Sequence, residues 1–556
     1  MVEGAVAPPR FRGRPVDGPD GESLVRRLAR RSLPILQRSI RYHRPRAPFC
    51  GVGQCTQCLV RVNGVPNVRA CRYVPAPGDR IETENAWPSP RWDVLGLLDP
   101  LFPRGIDTLH GFRRPAWATP LYHWVVRRLA GYGRPPDPVR PPSFPSTSER
   151  VETEALVIGA GPSGREAAHR LASGGVATLL LDRGDPGPPV EGATTRPGAS
   201  VVFLPPPSGS AAQPFTAVVD REGAGAMRVR ARHVVVATGG YDGPLLFAGS
   251  DRPGVLSAEG AIAIAPTEGA PPFRRAVVFG GGPRVVPLLD RFGSHIDAVV
   301  APGSIQGGVV ERASALEIPM YPRTMLLSAS GRSRVRSLRL RTRGGAPEFS
   351  LACDAVVLAH RRLPNPQLYY QAGARMRWHG STGAYYPELG PSCRTSVEGL
   401  YGVGEAAGFV DEPAARSSGA AAADAILGRP WEAEALPSRV PVEGPGELEG
   451  YYQELLHGAR PRAKWIVCPC EDVLLSEIEE ASRRGFRGIE VIKRLTGVGT
   501  GLCQGRYCLP DALLLLAQFE GRAPSEIGYI TQRPPVFPTP LEALAVLPGP
   551  TGGDPT

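Results

Sequence analysis

Apolar and polar positions follow three different rhythms along this chain. From Phe11 to about Thr83, short pieces with strand-like alternation (LVRVNGVPNVRACRYV) surround one amphipathic stretch, Ser23 to Arg31, the pattern of a small β-rich domain. Residues Glu84 to Arg150 carry many prolines, tryptophans and arginines and end in RPPDPVRPPSFPSTSER, a linker that is semi-rigid where prolines cluster. Just before that ending, Leu121–Ala130 has helical apolar spacing and is expected to form a packing helix between domains. Beyond the linker come short, continuous apolar runs closed by glycine, with helical segments between them. After Arg429 the pattern turns helical and charged (SEIEEASRRGF). Buried strands alternating with helices predict an α/β protein with a Rossmann-like core, flanked by a β-rich N-terminal domain and a small helical C-terminal one.

The first glycine-closed run is the most specific. Strand Ala155–Ile158 leads into Gly159-Ala160-Gly161-Pro162-Ser163-Gly164, a helix through Ser173 and a second strand, Thr178–Asp182. In this G-x-G-x-x-G fingerprint the first glycine permits the turn. The second lets a pyrophosphate approach the backbone, and the third allows close helix–strand packing, while the helix N-terminus attracts the anion. Asp182, followed by Arg183, stands where an acid can hydrogen-bond a ribose hydroxyl. Two later segments favour FAD over NAD here: HVVVATGGY, with Ala237, Thr238 and Gly239, and GLYGVGEAAG, with Gly404 and Glu405. Both resemble paired segments of two-dinucleotide-binding flavoproteins, which usually have Asp where Glu405 stands; the extra methylene is expected to shift that contact.

A second strand–glycine–helix unit, Ala276–Phe279 then Gly280-Gly281-Gly282-Pro283-Arg284-Val285, holds Val285 at the third glycine position, which should push helix and strand apart. The next strand, Ile296–Ala301, lacks the closing acid. A structural remnant and a working NAD(P)H site both stay open.

Eight of the ten cysteines form two tetrads near opposite ends of the chain, Cys50, Cys55, Cys58, Cys71 and Cys468, Cys470, Cys503, Cys508. The first has the C-x4-C-x2-C-x12-C spacing of a plant-type [2Fe–2S] loop, with Gly51 and Gly53 allowing a tight turn. The second, C-x-C and C-x4-C, has Lys493, Arg494 and Arg506 close in sequence, which either offset an anionic cluster or are ordinary helix charges. Four thiolates also satisfy zinc, more plausibly at the second tetrad. Cys353 and Cys393 read as buried structural thiols, and His360 and His379 as structural histidines. No cysteine lies between Cys71 and Cys353, so disulfide-reductase chemistry lacks its dithiol, and no catalytic base is assigned.

Composition narrows this further. A net charge of +11, from 64 basic and 53 acidic residues, is spread among prolines and glycines, with only short runs such as Arg26, Arg27, Arg30, Arg31 and Arg41, Arg44, Arg46. These read as solvated charges, and no nucleic acid is expected. No apolar run approaches the ~18 residues of a membrane span. The N-terminus lacks the apolar core of an export signal, so a cytoplasmic location is expected.

The chain as a whole resembles the α subunits of heteromeric FAD-dependent amino- and imino-acid dehydrogenases, a group with sarcosine oxidase, opine oxidases, hydrogen cyanide synthase and hydroxyproline or proline dehydrogenases. The telling segments are RSIRYHRPRAPFCGVGQCTQCLV, DRPGV, RLPNPQLYYQAGARMRW through GLYGVGEAAG, and WIVCPCEDV with TGVGTGLCQGRYC, the last similar to bacterioferritin-associated ferredoxin. The resemblance implies FAD, two [2Fe–2S] clusters, and in some relatives an FMN at a subunit interface, with NAD(P) or ATP open for the second nucleotide fold. It implies a hetero-oligomer in which a D-amino-acid-oxidase-like FAD β subunit oxidises the amine, with small additional subunits in some members, and in which this chain relays the electrons. The chain stops near residue 556 without sarcosine oxidase's folate-binding region, so tetrahydrofolate coupling and strict sarcosine specificity are not expected.

These readings divide the chain into a [2Fe–2S] ferredoxin-like domain (1–95), a linker with its packing helix (96–150), an FAD-binding domain (151–265 and 350–430), a degenerate NAD-type fold (266–349), a C-terminal [2Fe–2S] domain (431–530) and a tail (531–556). Two other functions remain to be separated: an NAD(P)H-dependent ferredoxin-type reductase, and a non-enzymatic cluster-bearing scaffold.

Overall fold

The computed structural model describes residues 7–94, 116–121, 123–124, 148–207, 214–221, 224–267, 269–344, 347–430, 439–440, 447–458, 464–541 and 544. Most of the expected linker, and of the Leu121–Ala130 helix all but Leu121, His123 and Trp124, lie outside the described residues. The chain divides into two compact units. One comprises Met1–Pro141, Asp242–Arg361 and Glu449–Gly528, the other Pro142–Tyr241, Arg362–Leu448 and Tyr529–Thr556.

In the second of these units a seven-stranded sheet runs in the order Thr194–Arg196, Thr178–Leu181, Ser148–Ile158, Gly225–Val236, Phe215–Arg221, Ala199–Phe203, with Leu400–Gly402 also pairing with Gly225–Val236. Ala155–Ile158 is apolar at every position because it is covered on both faces: Ala155 and Val157 enter one core, Leu156 and Ile158 another. The Gly225–Val236 strand shows the same logic in transition. Burial alternates over Arg228–Arg232, where it pairs antiparallel with Phe215–Arg221, and becomes continuous over Val234–Val236, where both neighbours are parallel. Helix Pro162–Ser173 packs its Ala167, Ala168 and Leu171 against Ala414 and Ala421–Ala423 of helix Glu412–Ile426, which Asp411 caps by accepting from the Ala414 amide at 2.7 Å.

The other unit is built from three modules. A five-stranded sheet (Arg14–Pro15, Arg10–Phe11, Arg80–Glu82, Leu59–Val62, Val65–Arg69) carries helix Leu24–Ala29, started by the Ser23 cap. A five-stranded parallel sheet follows the order Val255–Ser257, Ala355–Leu358, Ala276–Phe279, Ile296–Val300, Met320–Tyr321. The C-terminal module has the ribbon Ile466–Cys468 with Val473–Leu474, and helices Leu475–Arg483, Ile489–Thr496 and Leu509–Glu520. The first two modules share one core, in which Leu24, Val25 and Leu36 join Ala258, Ala261, Ile264, Val278 and Leu288.

The parallel sheet recruits Val255–Ser257 and Ala355–Leu358, which lie on the flavin side of the expected breaks at 265 and 350. Both are short runs buried along their whole length, and such runs carry no mark of which sheet they will join.

Candidate functional site

At the first glycine turn, Gly159 adopts a φ of 108°, and a Cβ there would strike the Ala237 carbonyl. A Cβ on Gly164 would run into the carbonyl of Gly159, which is why helix and strand can close only with glycine at that place. Gly161 begins helix Pro162–Ser173 with no side chain to cap it and with open space where a Cβ would stand, so the first-turn amides are left for an anion. Asp182 holds the turn in shape: Oδ2 accepts from the Ala160 amide and Oδ1 from the Gly184 amide, both at 2.7 Å. Arg183 lies over the Phe537 ring at 4.8 Å.

The later segments converge on the same turn. Ala237, Thr238 and Gly239 continue the strand beside Gly159, and Asn365 Nδ2 donates to the Thr238 and Gly239 carbonyls at 3.1 and 3.3 Å. Gly404, at φ 64°, sits against Ser163 and donates its amide to Ser418 Oγ at 3.0 Å. Glu405 is gripped by Arg362, with Nε to Oε1 at 3.0 Å and Nη2 to Oε2 at 2.5 Å, and accepts from the Gly240 amide at 3.2 Å. Sequence reasoning missed Arg362, Asn365 and Ser418 as individual residues; the only signal was the RLPN segment, which holds two of them.

At the second turn Val285 is buried in the core, and the helix opens with a 3₁₀ turn, Pro283–Val285, before only seven α-helical residues, Val286–Phe292. Arg284 pairs at 2.6 Å with Asp242, whose other oxygen accepts from the Glu259 amide at 2.5 Å. His360 lies beside Gly280 with both ring nitrogens buried, and burial first and then Arg361 drive its pKa well below the ordinary histidine value. His379 Nδ1 donates to the Val440 carbonyl, 3.2 Å away.

Both cysteine tetrads lie in one compact unit, and the structure brings them face to face. In the first, the amides of Gln54 and Cys55 point at Cys50 Sγ, each at 3.3 Å, while Gly51 and Gly53 take positive φ of 66° and 78°. Cys50 touches the thiols of Cys55 and Cys71, and Cys71 touches Cys58; those contacts, aided by the amides, lower the Cys50 pKa against its burial. In the second, Cys468 meets Cys470 and Cys508, and Cys470 lies 3.3 Å from Cys503. The thiols thus meet in linked pairs. Among the described residues no group of three or more His, Cys, Asp or Glu is gathered around a single-ion position. At the first tetrad the convergent buried thiols and inward amides fit a binuclear cluster. No cysteine is paired in a disulfide, and burial pushes Cys353 and Cys393 up to about 12.

Thr56 Oγ1 stands 2.9 Å from Cys470 Sγ. Around that contact, Arg46 donates to the Cys470 carbonyl and to Asp472 Oδ1, each at 3.2 Å. Arg44 bridges Asp472 and Asp251, the latter at 2.5 Å, and Arg41 pairs with Glu477 at 2.6 Å. Rings Phe49 and Tyr507 meet edge to face at 4.9 Å. Burial raises the Asp472 carboxyl, but Arg44 and Arg46 hold it below the usual range. The expectation that Arg41, Arg44 and Arg46 are solvated charges is therefore corrected. They clamp the two cysteine modules together, because each finds a carboxylate more than 400 residues away or, for Arg44, also Asp251. Lys493 and Arg494 pair with Glu490 on their own helix at 3.0 and 3.4 Å, whereas Arg506 is buried and donates to the Cys503 carbonyl at 3.2 Å. Among the described residues no helix is long and apolar enough to cross a membrane.

Residues 10–86 match the model of the 2Fe-2S iron-sulfur cluster binding domain, and residues 462–547 that of the sarcosine oxidase A3 domain. The chain is 28% identical over 587 residues to the sarcosine oxidase α subunit of Rhizobium meliloti (strain 1021), covering 96% of this chain and 57% of that protein, so it spans a little over half of that relative's length. It is 26% identical over 453 residues to the opine oxidase A subunit of the same strain, covering 71% of this chain and 98% of the relative. Among solved structures, L-proline dehydrogenase from P. horikoshii superposes with a TM-score of 0.65 at 21% identity over 97% of both chains, a likeness of fold.

Proposed function

We propose, from the premise that this chain is a homologue of the sarcosine oxidase α and opine oxidase A subunits, that it is the electron-relaying flavin and iron–sulfur subunit of a heteromeric amino- or imino-acid dehydrogenase. The observation that carries this reading is the presence, in one chain, of a dinucleotide-shaped glycine turn and two thiol tetrads, seven of whose eight cysteines are buried. FAD would be held by Gly159, Gly161, Pro162, Ser163 and Gly164 at its pyrophosphate, by Asp182 and Arg183 toward a ribose, and by Ala237, Thr238, Gly239, Gly404 and Glu405 at the converging strand ends. Cys50, Cys55, Cys58, Cys71 and Cys468, Cys470, Cys503, Cys508 would hold two [2Fe–2S] clusters. When bound, flavin takes an electron pair and such clusters carry single electrons.

The residues themselves supply position and field. The uncapped first turn of helix Pro162–Ser173 offers amides to a negative group, and Asp182 keeps the Ala160 amide locked so that the turn need not reorganise on binding. Arg362 neutralises Glu405 and fixes its direction through two hydrogen bonds. Amine oxidation would take place on a D-amino-acid-oxidase-like FAD β subunit, with small further subunits and an interfacial FMN as the resemblance implies, in the cytoplasm, where thiols stay reduced. The second nucleotide fold would then be structural, or hold ATP or NAD(P), without feeding electrons in.

The test is anaerobic co-expression with the neighbouring reading frame, followed by cofactor extraction and a screen of N-substituted amino acids and proline. FAD and iron in this chain, with flavin bleaching only when the partner is present, is the expected result. Protein free of flavin, iron and labile sulfide, or fast bleaching of the isolated chain by NADH or NADPH, would overturn it.

A further inference from the structure

The contact between Thr56 and Cys470 joins residues 414 positions apart, and it links the two cysteine tetrads directly. Thr56 lies between Cys55 and Cys58 in the first loop and is 2% exposed. It is held from behind: its carbonyl accepts from Gln37 Nε2 at 2.7 Å, and Gln37 is itself buried. The opposite side is held as firmly, through Arg46 on the Cys470 carbonyl and Arg69 Nη2 on the Leu502 carbonyl at 3.4 Å. A passing side-chain contact would not need anchors on both sides.

We propose that Thr56 is a positioning residue that donates a hydrogen bond from the loop of one cysteine tetrad to a ligand sulfur of the other, so that the two sites respond to reduction as a pair. This rests on the reading above that both tetrads hold [2Fe–2S] clusters. The direction of the bond follows from the chemistry: a metal-ligating cysteine is a thiolate without a proton, so the Thr56 hydroxyl must be the donor. A hydrogen bond to a ligand sulfur favours the more negative, reduced form and raises the potential of the site that receives it. Cys470 receives it, so the C-terminal site is the one tuned.

The experiment uses the full chain purified anaerobically with its partner, as wild type, Thr56→Val and Thr56→Ser, with iron and labile sulfide assayed in each. Electron paramagnetic resonance is followed through a redox titration. Thr56→Val should make one of the two signals about tenfold harder to reduce, about 59 mV for one electron, with iron content unchanged, while Thr56→Ser keeps the wild-type midpoint. In the fully reduced wild type the two signals should broaden each other. Equal midpoints in all three proteins at full iron content, or two signals that ignore one another, would overturn the proposal while leaving the two-cluster reading standing. Iron missing from the C-terminal tetrad would overturn both, and the metal assay shows that outcome separately.

Discussion

The chain contains two strand–glycine–helix turns, and they differ at one decisive position. At the first, Gly164 lets the Gly159 carbonyl close onto the helix, and twelve α-helical residues follow from Pro162 to Ser173. At the second, Val285 fills the same place and is fully buried, the helix begins as a 3₁₀ turn, and seven α-helical residues remain. The acids differ too. Asp182 closes the strand after the first turn and bonds back to it, while Ala301-Pro302 closes the corresponding strand after the second. An isopropyl group thus turns a corner closed onto the strand backbone into a packing corner. The strand, the fold and the open space beside Gly282 survive; the α-helical start of the helix does not.

Exchanging the decisive residue should have the largest effect. Gly164→Val places side-chain atoms against the Gly159 carbonyl and should cost about 3 kcal/mol or more, giving protein purified with little or no FAD; a flavin-replete variant would remove the basis of the contrast. The reverse change, Val285→Gly, empties a buried site and loosens the helix start, costing about 2 kcal/mol in thermal or urea unfolding. It should not create reduction by NADH or NADPH, since the closing acid is still absent. Asp182→Asn comes next. One amide it now bonds would face an NH₂ group, so FAD should bind about tenfold more weakly, about 1.4 kcal/mol by equilibrium dialysis.

The effect that is smallest at neutral pH concerns a histidine away from both turns. His379 is held neutral by burial and then by Arg439, with its pKa lowered to about 4. The unfolded chain takes up that proton below about 6.5 and the folded one only near 4, so stability present above this window falls as pH drops through it. The slope is at most about 1.4 kcal/mol per pH unit. His379→Gln should flatten that part of the acid-unfolding curve; an unchanged curve would mean that other groups set it.

What could be read in the sequence was local. The glycine fingerprint, Asp182, the loss of the third glycine at Val285 and the spacing of Cys50, Cys55 and Cys58 each express a constraint spanning a few residues. Asp182 bonding back to Ala160, and the Gln54 and Cys55 amides reaching Cys50, are short-range geometry of that kind. The remainder depends on chain crossings. Val255–Ser257 and Ala355–Leu358 are runs of three and four residues whose composition suits either sheet. Arg44 and Arg46 look like solvated charge in the sequence because Asp472 is so distant along the chain. For the same reason the tetrads, at opposite ends of the chain, give no sign that Thr56 and Cys470 will touch.

The central claim, that this chain conducts electrons through flavin and two clusters, is tested most directly by electron paramagnetic resonance of the dithionite-reduced complex, paired with elemental analysis. The account predicts about four iron and about four labile sulfide per chain and two interacting signals. A silent spectrum with stoichiometric zinc would contradict it.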